Sequence, residues 1–266
     1  MPTLPKPLQP IRLHTTLLSG HGHRAKLFLT LLDLPFTTIE LNMKAGDNRK
    51  PAHLALNPFG EVPVIEDGNI VVTDSNAILV YLARKYGDAS WLPDDPVGAV
   101  AVQRWLSLAA GKIAYGPCAT RLVTMFGAPK DYETAKKMAE DLFAVIDPEF
   151  RDKPFAVGQT PTIADIAAYS YIAHAPEGGI SLEPYPHLRA WLKRVEALPR
   201  FVPMPGDQGR LARRGHVRVL AAHAPVLYRE HHVCSCTRSC RCAAFGLACC
   251  MPVNSPRKNV RGCASG

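Results

Sequence analysis

The segment 57–81 constrains the fold of this chain more than any other, because it specifies two strands followed at once by a helix. Val62-Pro63 opens an apolar run, and proline in a sheet is tolerated only at a strand start, an edge or a bulge. Asp67-Gly68 is a hairpin signal between Val62–Glu66 and Ile70–Thr73, which predicts that these strands are antiparallel neighbours. This order suits a small-ligand site built from backbone groups.

Two positions in this segment favour a ligand that binds along the main chain. A cis X-Pro bond costs only about 0.5–1 kcal/mol, so Val62-Pro63 is predicted to be cis, with the amide and carbonyl of Val62 turned toward an extended ligand. Ser75 is predicted to cap the next helix, where its hydroxyl and the free amides of the helix start attract a carboxylate. The segment therefore predicts a site for a small ligand that carries a carboxylate.

The residues that precede this segment predict a mixed α/β domain. Ile11–His14 and Phe36–Leu41 read as strands, and Arg24–Leu34 between them has the apolar spacing of a helix. Strand, helix and strand followed by a hairpin and a helix is the thioredoxin-like order, and the right-handed crossover makes the first two strands parallel neighbours. No Cys-x-x-Cys pair is present there, which disfavours disulfide exchange by protein thiols.

The order Asn-Pro-Phe-Gly-Glu-Val-Pro from Asn57, then Asp67-Gly68, then Asp-Ser-Asn-Ala-Ile from Asp74 resembles the glutathione-binding half of cytosolic-type, bacterial glutathione S-transferases. The resemblance extends over roughly residues 11 to 205. It implies a thioredoxin-like α/β domain with a mixed four-stranded sheet, followed by an all-α helical bundle. It also implies glutathione as the co-substrate, a small hydrophobic electrophile as the second substrate, and a homodimer.

The second half of the chain predicts helices. Val100–Phe126 is a helical pattern that Pro117 should kink or end, and Tyr132–Ile146 and Pro186–Ala197 are two more. Thr162 and Asp165 form a Thr-x-x-Asp capping box, a helix-start signature that recurs at this point in the resembled family. The predicted divisions are a thioredoxin-like domain at 1–87, a linker at 88–97, a helical domain at 98–205 and a tail at 206–266.

Ser19, in the loop after the first strand, is the candidate catalytic residue. In the resembled family a Ser, Tyr or Cys in this loop points at the sulfur of glutathione, and a hydroxyl that donates to the sulfur favours the thiolate. Lowering a thiol pKa from about 8.5 to about 6.5 requires about 2.7 kcal/mol, which one charge-assisted hydrogen bond and a helix N-terminus supply together. The alternative is that Ser19 only caps the helix that begins near His21.

The spacing in this loop departs from the resembled family. Many Ser-type members place the hydroxyl four residues before the arginine that Arg24 resembles, and that position is Gly20 here. We expect a loop that is one residue longer.

The resemblance assigns the other glutathione ligands. It implies that Val62, followed by Pro63, pairs with the cysteinyl backbone, that Ser75 holds the γ-glutamyl carboxylate, and that Asp74 balances the ammonium group. Each of these residues matches the motif of the family at its position.

The loop 44–50 offers amides and cations, with Asn48 and Lys50, to the glycine carboxylate of glutathione. Glu61 stands where many relatives have Lys or Gln, and its carboxylate would repel that end of the peptide. The alternative for this loop is a solvated basic turn.

Three residues are candidates for the second-substrate pocket: His21, Tyr115 and Arg121. Tyrosines on helices more often belong to the core or its rim, and buried cysteines such as the neighbouring Cys118 are commonly inert. His21 and His23 have a His-x-His spacing but no third ligand nearby, so we expect no metal.

The tail differs from the rest of the chain in charge and cysteine content. Residues 206–266 hold 10 basic and 2 acidic side chains and therefore carry the whole formal charge of +8, and they hold seven of the eight cysteines. Three interpretations stay open: a nucleic-acid arm, a metal cluster at Cys-x-Cys-x3-Cys-x-Cys, and disordered or out-of-frame sequence. The abrupt loss of pattern favours the third, so we expect no nucleic-acid partner.

Localisation and function follow as expectations. The first residues are rich in proline and lack an apolar run, and Cys118 is the one cysteine of 1–205, so we expect a cytoplasmic protein without a membrane partner. The expected activity is glutathione transfer through a thiolate. The alternatives are glutathione-dependent disulfide or peroxide reduction or isomerisation on the same fold, and a non-catalytic binding or scaffold protein.

Overall fold

The computed structural model describes residues 5–206. The cysteine motif and basic residues of 207–266, on which the three interpretations of the tail depend, lie outside the described residues. Within the described range, no helix is long and apolar enough to cross a membrane.

The first half of the described chain is a thioredoxin-like domain. Its elements in chain order are β1 (Ile11–Thr15), α1 (Gly20–Leu31), β2 (Phe36–Glu40), α2 (Pro51–Leu54), β3 (Val64–Asp67), β4 (Ile70–Thr73) and α3 (Ser75–Tyr86). The sheet order is β2-β1-β3-β4, with β1 parallel to β2 and antiparallel to β3, and with β3 antiparallel to β4. This confirms the predicted mixed sheet and the parallel pairing of its first two strands.

The hairpin is joined to the following helix by a cluster of polar side chains. The buried Asp67, at the end of β3, accepts hydrogen bonds at Oδ2 from Tyr81 Oη at 2.6 Å, Lys85 Nζ at 2.7 Å and Tyr86 Oη at 2.6 Å. All three donors lie on α3, so one carboxylate fixes the direction in which this helix leaves the sheet.

The second half is entirely helical within the described residues. Its helices are α4 (Pro96–Ala110), α5 (Lys112–Tyr115), α6 (Pro117–Phe126), α7 (Tyr132–Ile146), α8 (Ile163–Ala173) and α9 (Pro186–Glu196). From Ile163 to Ile172 every residue of α8 is buried, and this helix packs against both α1 and α3. The two halves of the described chain therefore share one hydrophobic core.

One predicted helix start and one predicted helix cap are wrong. α1 begins at Gly20 rather than Arg24, because Ser19 accepts a hydrogen bond from the Gly22 amide at 3.0 Å and so caps the helix earlier. α3 is capped by Asp74 and not by Ser75, since Asp74 Oδ1 accepts from the amides of Asn76 and Ala77 at 2.9 Å. A carboxylate is an even better acceptor for helix-start amides than a hydroxyl.

The long helix predicted over 100–126 is three helices, which meet at Gly111 and Gly116. A Cβ atom at Gly116 would lie 3.0 Å from the backbone nitrogen of Ala139, so glycine lets this junction lie against α7. Pro117 ends the preceding helix, as predicted. The domain bounds stay a prediction, and α4 begins at Pro96, inside the predicted linker.

The predicted capping box at the start of α8 is confirmed, and it extends into a buried network. Asp165 is fully buried and accepts from the Ala156 amide at 2.8 Å, the Thr162 amide at 2.9 Å and Trp191 Nε1 at 2.8 Å. The Asp165 carboxylate thus joins α8 to α9 and to the loop that precedes α8.

We predict that Asp165→Ala lowers the free energy of unfolding by about 3 kcal/mol or more, because it leaves three buried donors without an acceptor. Urea titration followed by tryptophan fluorescence measures this change. The matched control is Asp141→Ala, whose side chain is 64% exposed in a surface ion pair and should change stability by less than about 1 kcal/mol. Equal losses in the two variants would contradict the structural role of Asp165.

Candidate functional site

The loop between β1 and α1 presents the Ser19 hydroxyl. The Ser19 amide donates to the Thr16 carbonyl at 3.0 Å, which closes a turn, and Ser19 Oγ accepts from the Gly22 amide. A Cβ atom at Gly22 would lie 1.8 Å from Thr15 Oγ1, so glycine is required for this close approach. In the part of the chain that the structure describes, the Ser19 hydroxyl has no acceptor for its own hydrogen. It can therefore cap α1 and donate to a ligand at the same time.

A fully buried arginine lies beneath this loop. Arg24 Nη1 donates to Ser75 Oγ at 3.2 Å and to His21 Nδ1 at 3.1 Å, and the guanidinium lies 5.4 Å from the centre of the Tyr171 ring. Within residues 5–206 it forms no ion pair, although the Asp74 carboxylate attracts it through space, and its Nε and Nη2 atoms have no hydrogen-bond acceptor. Burial lowers the pKa of this guanidinium, which nevertheless stays charged at neutral pH.

His21 links Arg24 to Ser75. Its Nδ1 atom lies 3.1 Å from Ser75 Oγ as well as from Arg24 Nη1, and since arginine only donates, Nδ1 accepts and the ring hydrogen lies on Nε2. Burial, and then the charge of Arg24, lowers the His21 pKa to about 3. His21 is therefore neutral at physiological pH and cannot balance the Arg24 charge.

The start of α3 is held in an unusual backbone conformation. Asp74 has φ 68°, a left-handed value that aspartate tolerates better than most residues. The turn leaves Asp74 exposed and brings Ser75, which is 4% exposed, against Arg24 and His21. The Ser75 amide and hydroxyl and a buried cation therefore meet at the α3 N-terminus, where Asp74 caps the next two amides.

The backbone beside Pro63 is open to a ligand. The Val62–Pro63 bond is cis, as predicted, and Pro63 is buried. The carbonyl of Glu61 accepts from His53 Nε2 at 3.0 Å and Asn57 Nδ2 at 3.1 Å, whereas the Glu61 side chain is exposed. The amide and carbonyl of Val62 have no partner within residues 5–206, so they can pair with an extended peptide.

The basic loop contributes less than the sequence suggests. Asn48 is buried and donates from Nδ2 to the Gly60 carbonyl at 2.7 Å, so its amide nitrogen holds the protein's own loop. Lys50 Nζ lies 2.7 Å from Asp47 Oδ1, with 65% of its side chain exposed. Lys50 thus matches the alternative of a solvated basic turn.

The three candidates for a second-substrate pocket occupy different environments. Tyr115 is 62% exposed on the short helix α5, whereas Arg121 is 1% exposed and pairs with Glu177. Arg121 Nη1 also donates to the Leu18 carbonyl at 2.9 Å, so Arg121 and His21 both adjoin the first loop. The nearby Cys118 is buried against Tyr171, and burial raises the pKa of its thiol, which fits an inert cysteine.

Sequence reasoning missed the part that Arg24 plays. A signal was present, because Arg24 lies in helical phase with Phe28 and Leu31 on the apolar face of α1. An arginine in that position needs polar partners, and the partners come from α3 and α8, which are distant in sequence. Their identity could not be read from the local pattern.

Two family descriptions match the chain. One, "Glutathione S-transferase, N-terminal domain", matches residues 18–85, and the other, "Glutathione S-transferase, C-terminal domain", matches residues 114–199. The glutathione S-transferase theta-2 of Mus musculus is 30% identical over 198 residues, which span 70% of this chain and 81% of that protein.

Solved structures agree with these matches. The chain is similar to a glutathione S-transferase from Pseudomonas fluorescens with a TM-score of 0.70 and 30% identity, over 74% of this chain and 100% of that one. It is also similar to a glutathione transferase homologue from Drosophila mojavensis, solved with bound glutathione, with a TM-score of 0.65 and 28% identity, over 71% and 89% of the two chains.

The buried His23 shares the pH behaviour of the partly buried His21. His23 Nδ1 lies 2.9 Å from Ser170 Oγ and its Nε2 lies 2.8 Å from the Val202 carbonyl, to which it donates. Burial lowers the His23 pKa to about 4, although the bond to Val202 acts in the opposite direction. Both rings are therefore neutral in the folded protein under conditions in which the unfolded chain begins to bind protons.

We predict that the free energy of unfolding falls as the pH is lowered from about 6.5 toward about 4. In this range His21 and His23 bind protons in the unfolded chain but stay neutral in the folded protein. Denaturant titrations at several pH values measure this slope. In nitrogen-15 spectra of the folded protein, both rings should keep a neutral signature from pH 5 to 8. A titration midpoint near 6.5 in either ring would contradict their burial.

Proposed function

This chain belongs to the glutathione S-transferase family, and we propose that it binds glutathione at the Arg24 cluster and activates the thiol for attack on a hydrophobic electrophile. The observation that carries the proposal is the buried charge of Arg24, which forms no ion pair in the described chain and lies behind Ser75. The exposed Asp74 carboxylate stabilises this charge only through space, and a buried cation without an ion pair is costly, so a ligand carboxylate at this position is favoured.

The γ-glutamyl end of glutathione binds at the start of α3 in this proposal. Its carboxylate accepts from the Ser75 hydroxyl and the Ser75 amide, with Arg24 behind them. Asp74 uses Oδ1 to cap the helix, which leaves Oδ2 for the ammonium group. The two charges of the γ-glutamyl group thereby meet opposite charges on neighbouring residues.

The cysteinyl part pairs with the open backbone of Val62, next to Pro63. This pairing is supported by the amide and carbonyl of Val62, which have no partner within the described residues. At the glycine end, Lys50 offers a weak attraction and Asn48 shapes the loop, whereas the exposed carboxylate of Glu61 opposes the ligand carboxylate. We therefore expect the γ-glutamyl end to supply most of the binding free energy.

Ser19 acts on the sulfur. Its hydroxyl donates to the sulfur and stabilises the thiolate, the thiol proton leaves to solvent, and the lone pair on sulfur attacks an electrophilic carbon. A carbon–sulfur bond forms, and the leaving group departs with its bonding electrons. The electrophile lies over the first loop, beside His21 and Arg121, with the exposed Tyr115 at the rim. The same thiolate would also attack a disulfide or a peroxide. Glutathione transfer and glutathione-dependent reduction therefore differ in the second substrate and not in the activation of the thiol.

A homodimer through the groove between α3 and α4 is also proposed. This groove has a volume of about 850 Å³, and its lining includes Val80, Tyr81, Leu106 and Ala110. The family match is the reason to assign a second copy of the chain to it. The cytoplasm remains the proposed location, because Cys118 is a free thiol and no disulfide joins the described residues.

Sedimentation equilibrium should therefore give twice the monomer mass of 29.0 kDa at micromolar concentration. Ala110→Glu places a charge in the groove and should shift the mass toward the monomer, whereas Ala144→Glu on the exposed face of α7 should leave the dimer intact. A monomeric wild type, or a dimer unaffected by Ala110→Glu, would contradict this assignment.

The thiol activation is tested with Ser19→Ala. We predict that the full-length variant binds glutathione within about threefold of wild type but shows a bound-thiol pKa about one to two units higher, because the hydrogen bond to the thiolate is lost. The ultraviolet absorbance of the thiolate, followed against pH, measures this shift. Conjugation rates should fall in proportion to the thiolate fraction.

Ser90→Ala, a change at an exposed serine that bonds to Asp88, is the control and should match wild type. Ser19→Ala also removes a helix cap worth about 1 kcal/mol, so its stability is measured in parallel. An unchanged thiol pKa in a folded Ser19→Ala protein would show that another group activates the thiol.

A further inference from the structure

A buried arginine from the helical domain reaches the first loop. Arg121, on α6, donates from Nη1 to the Leu18 carbonyl at 2.9 Å, across 103 positions of sequence. Its Nε donates to Glu177, which follows α8 in the short helical turn Ala175–Gly178. Leu18 immediately precedes Ser19, so the contact acts on the peptide bond that carries the proposed thiol activator.

The carboxylate that orients Arg121 is itself fixed by close packing. A Cβ atom at Gly178 would lie 2.5 Å from Thr120 Oγ1 and 2.7 Å from the Arg121 backbone nitrogen, so the turn lies directly on α6. The carbonyl of Gly178 accepts from Tyr132 Oη at 3.0 Å, which ties the same turn to α7. Glu177 therefore has little freedom to move, and neither has the guanidinium that it holds.

Arg121 joins two acceptors through different nitrogen atoms of one planar guanidinium. Its Nε donates to Glu177 while its Nη1 donates to the Leu18 carbonyl, a geometry that lysine cannot reproduce. Within the first domain the turn that contains Leu18 is closed by the bond from Ser19 to Thr16, and the Ser19 hydroxyl and carbonyl accept from the amides of α1. The contact with Arg121 adds a constraint on the Leu18–Ser19 peptide that comes from the second domain.

The buried charges near the loop also favour an anion. Arg24 and Arg121 are both buried near Tyr171 and Cys118, and Glu177 forms an ion pair with Arg121. Arg24 forms no ion pair in the described chain and is balanced only through space by Asp74, so its positive charge favours an anion on the sulfur above the loop.

We propose that Arg121 is a positioning residue for thiol activation, which acts through the Leu18 carbonyl on Ser19 rather than by contact with the electrophile. This inference rests on the proposed function. It makes activation depend on the docking of the helical domain against the first loop.

The test compares full-length wild type, Arg121→Lys and Arg121→Met, with Arg104→Lys as the matched control. Arg104 pairs with Glu149 on the surface, so this control makes the same chemical change away from the loop. The measured quantities are the glutathione dissociation constant, the ultraviolet titration of the bound thiol and the unfolding midpoint.

We expect Arg121→Lys to raise the bound-thiol pKa by about one unit, which is about a fivefold loss of thiolate at pH 7 when the wild-type value is near 7. The dissociation constant should change less than about threefold, because the Val62 and Ser75 contacts remain. Arg121→Met should raise the thiol pKa further, since the charge is lost as well. Arg104→Lys should match wild type.

A purely structural role for Arg121 would lower the unfolding midpoint while leaving the thiol pKa at the wild-type value, and that result would overturn the inference. If wild type itself binds no glutathione or leaves its thiol pKa unchanged, the proposed function fails instead.

If neither variant folds, nuclear magnetic resonance of ligand-free wild type tests the contact between Arg121 and Leu18 directly. Arg121 Nη hydrogens should be protected from exchange and show magnetisation transfer to Leu18, and fast exchange there would contradict the contact.

Discussion

The buried charge of Arg24 is the interaction on which the rest of this structure depends. Its guanidinium joins the start of α1, through His21, to the start of α3, through Ser75, and lies against Tyr171 of α8. Removing a charge from water is costly unless it is well hydrogen bonded, and here it is only partly so. The protein retains a partly satisfied cation where two helix N-termini meet, and this is the basis on which we propose an anion site there.

Buried polar groups of each domain find their hydrogen-bond partners in the other domain. The first loop and α1 supply Leu18 and His23, and the helical half supplies Arg121 and Ser170 as their partners. Buried polar networks of this kind specify one arrangement, since any shift leaves several groups unpaired. The site is therefore held in place by the whole described chain, although most of its proposed glutathione ligands lie in the first domain.

The sequence predicted those parts of the fold that depend on local signals. The hairpin at Asp67-Gly68, the cis bond at Pro63 and the capping box at Thr162 each rest on residues within a few positions of one another, and all three are present. Errors arose where two local signals competed, as when Asp74 rather than Ser75 took the helix cap. The parts played by Arg24 and Arg121 were missed because their partners lie about 50 to 100 positions away, and only the folded chain brings them together.

The central claim is that the Arg24 cluster and Ser19 hold glutathione as its thiolate. Free glutathione, with a thiol pKa of about 8.5, is mostly protonated at pH 7, so a bound-thiol pKa of about 6.5 requires the release of about 0.7 proton per ligand. Calorimetric titration of glutathione into the full chain, in buffers that differ in ionisation enthalpy, measures the number of protons released. Release of about 0.7 proton at pH 7 is the predicted result. Binding without proton release would contradict thiolate formation, and the absence of binding would contradict the site itself.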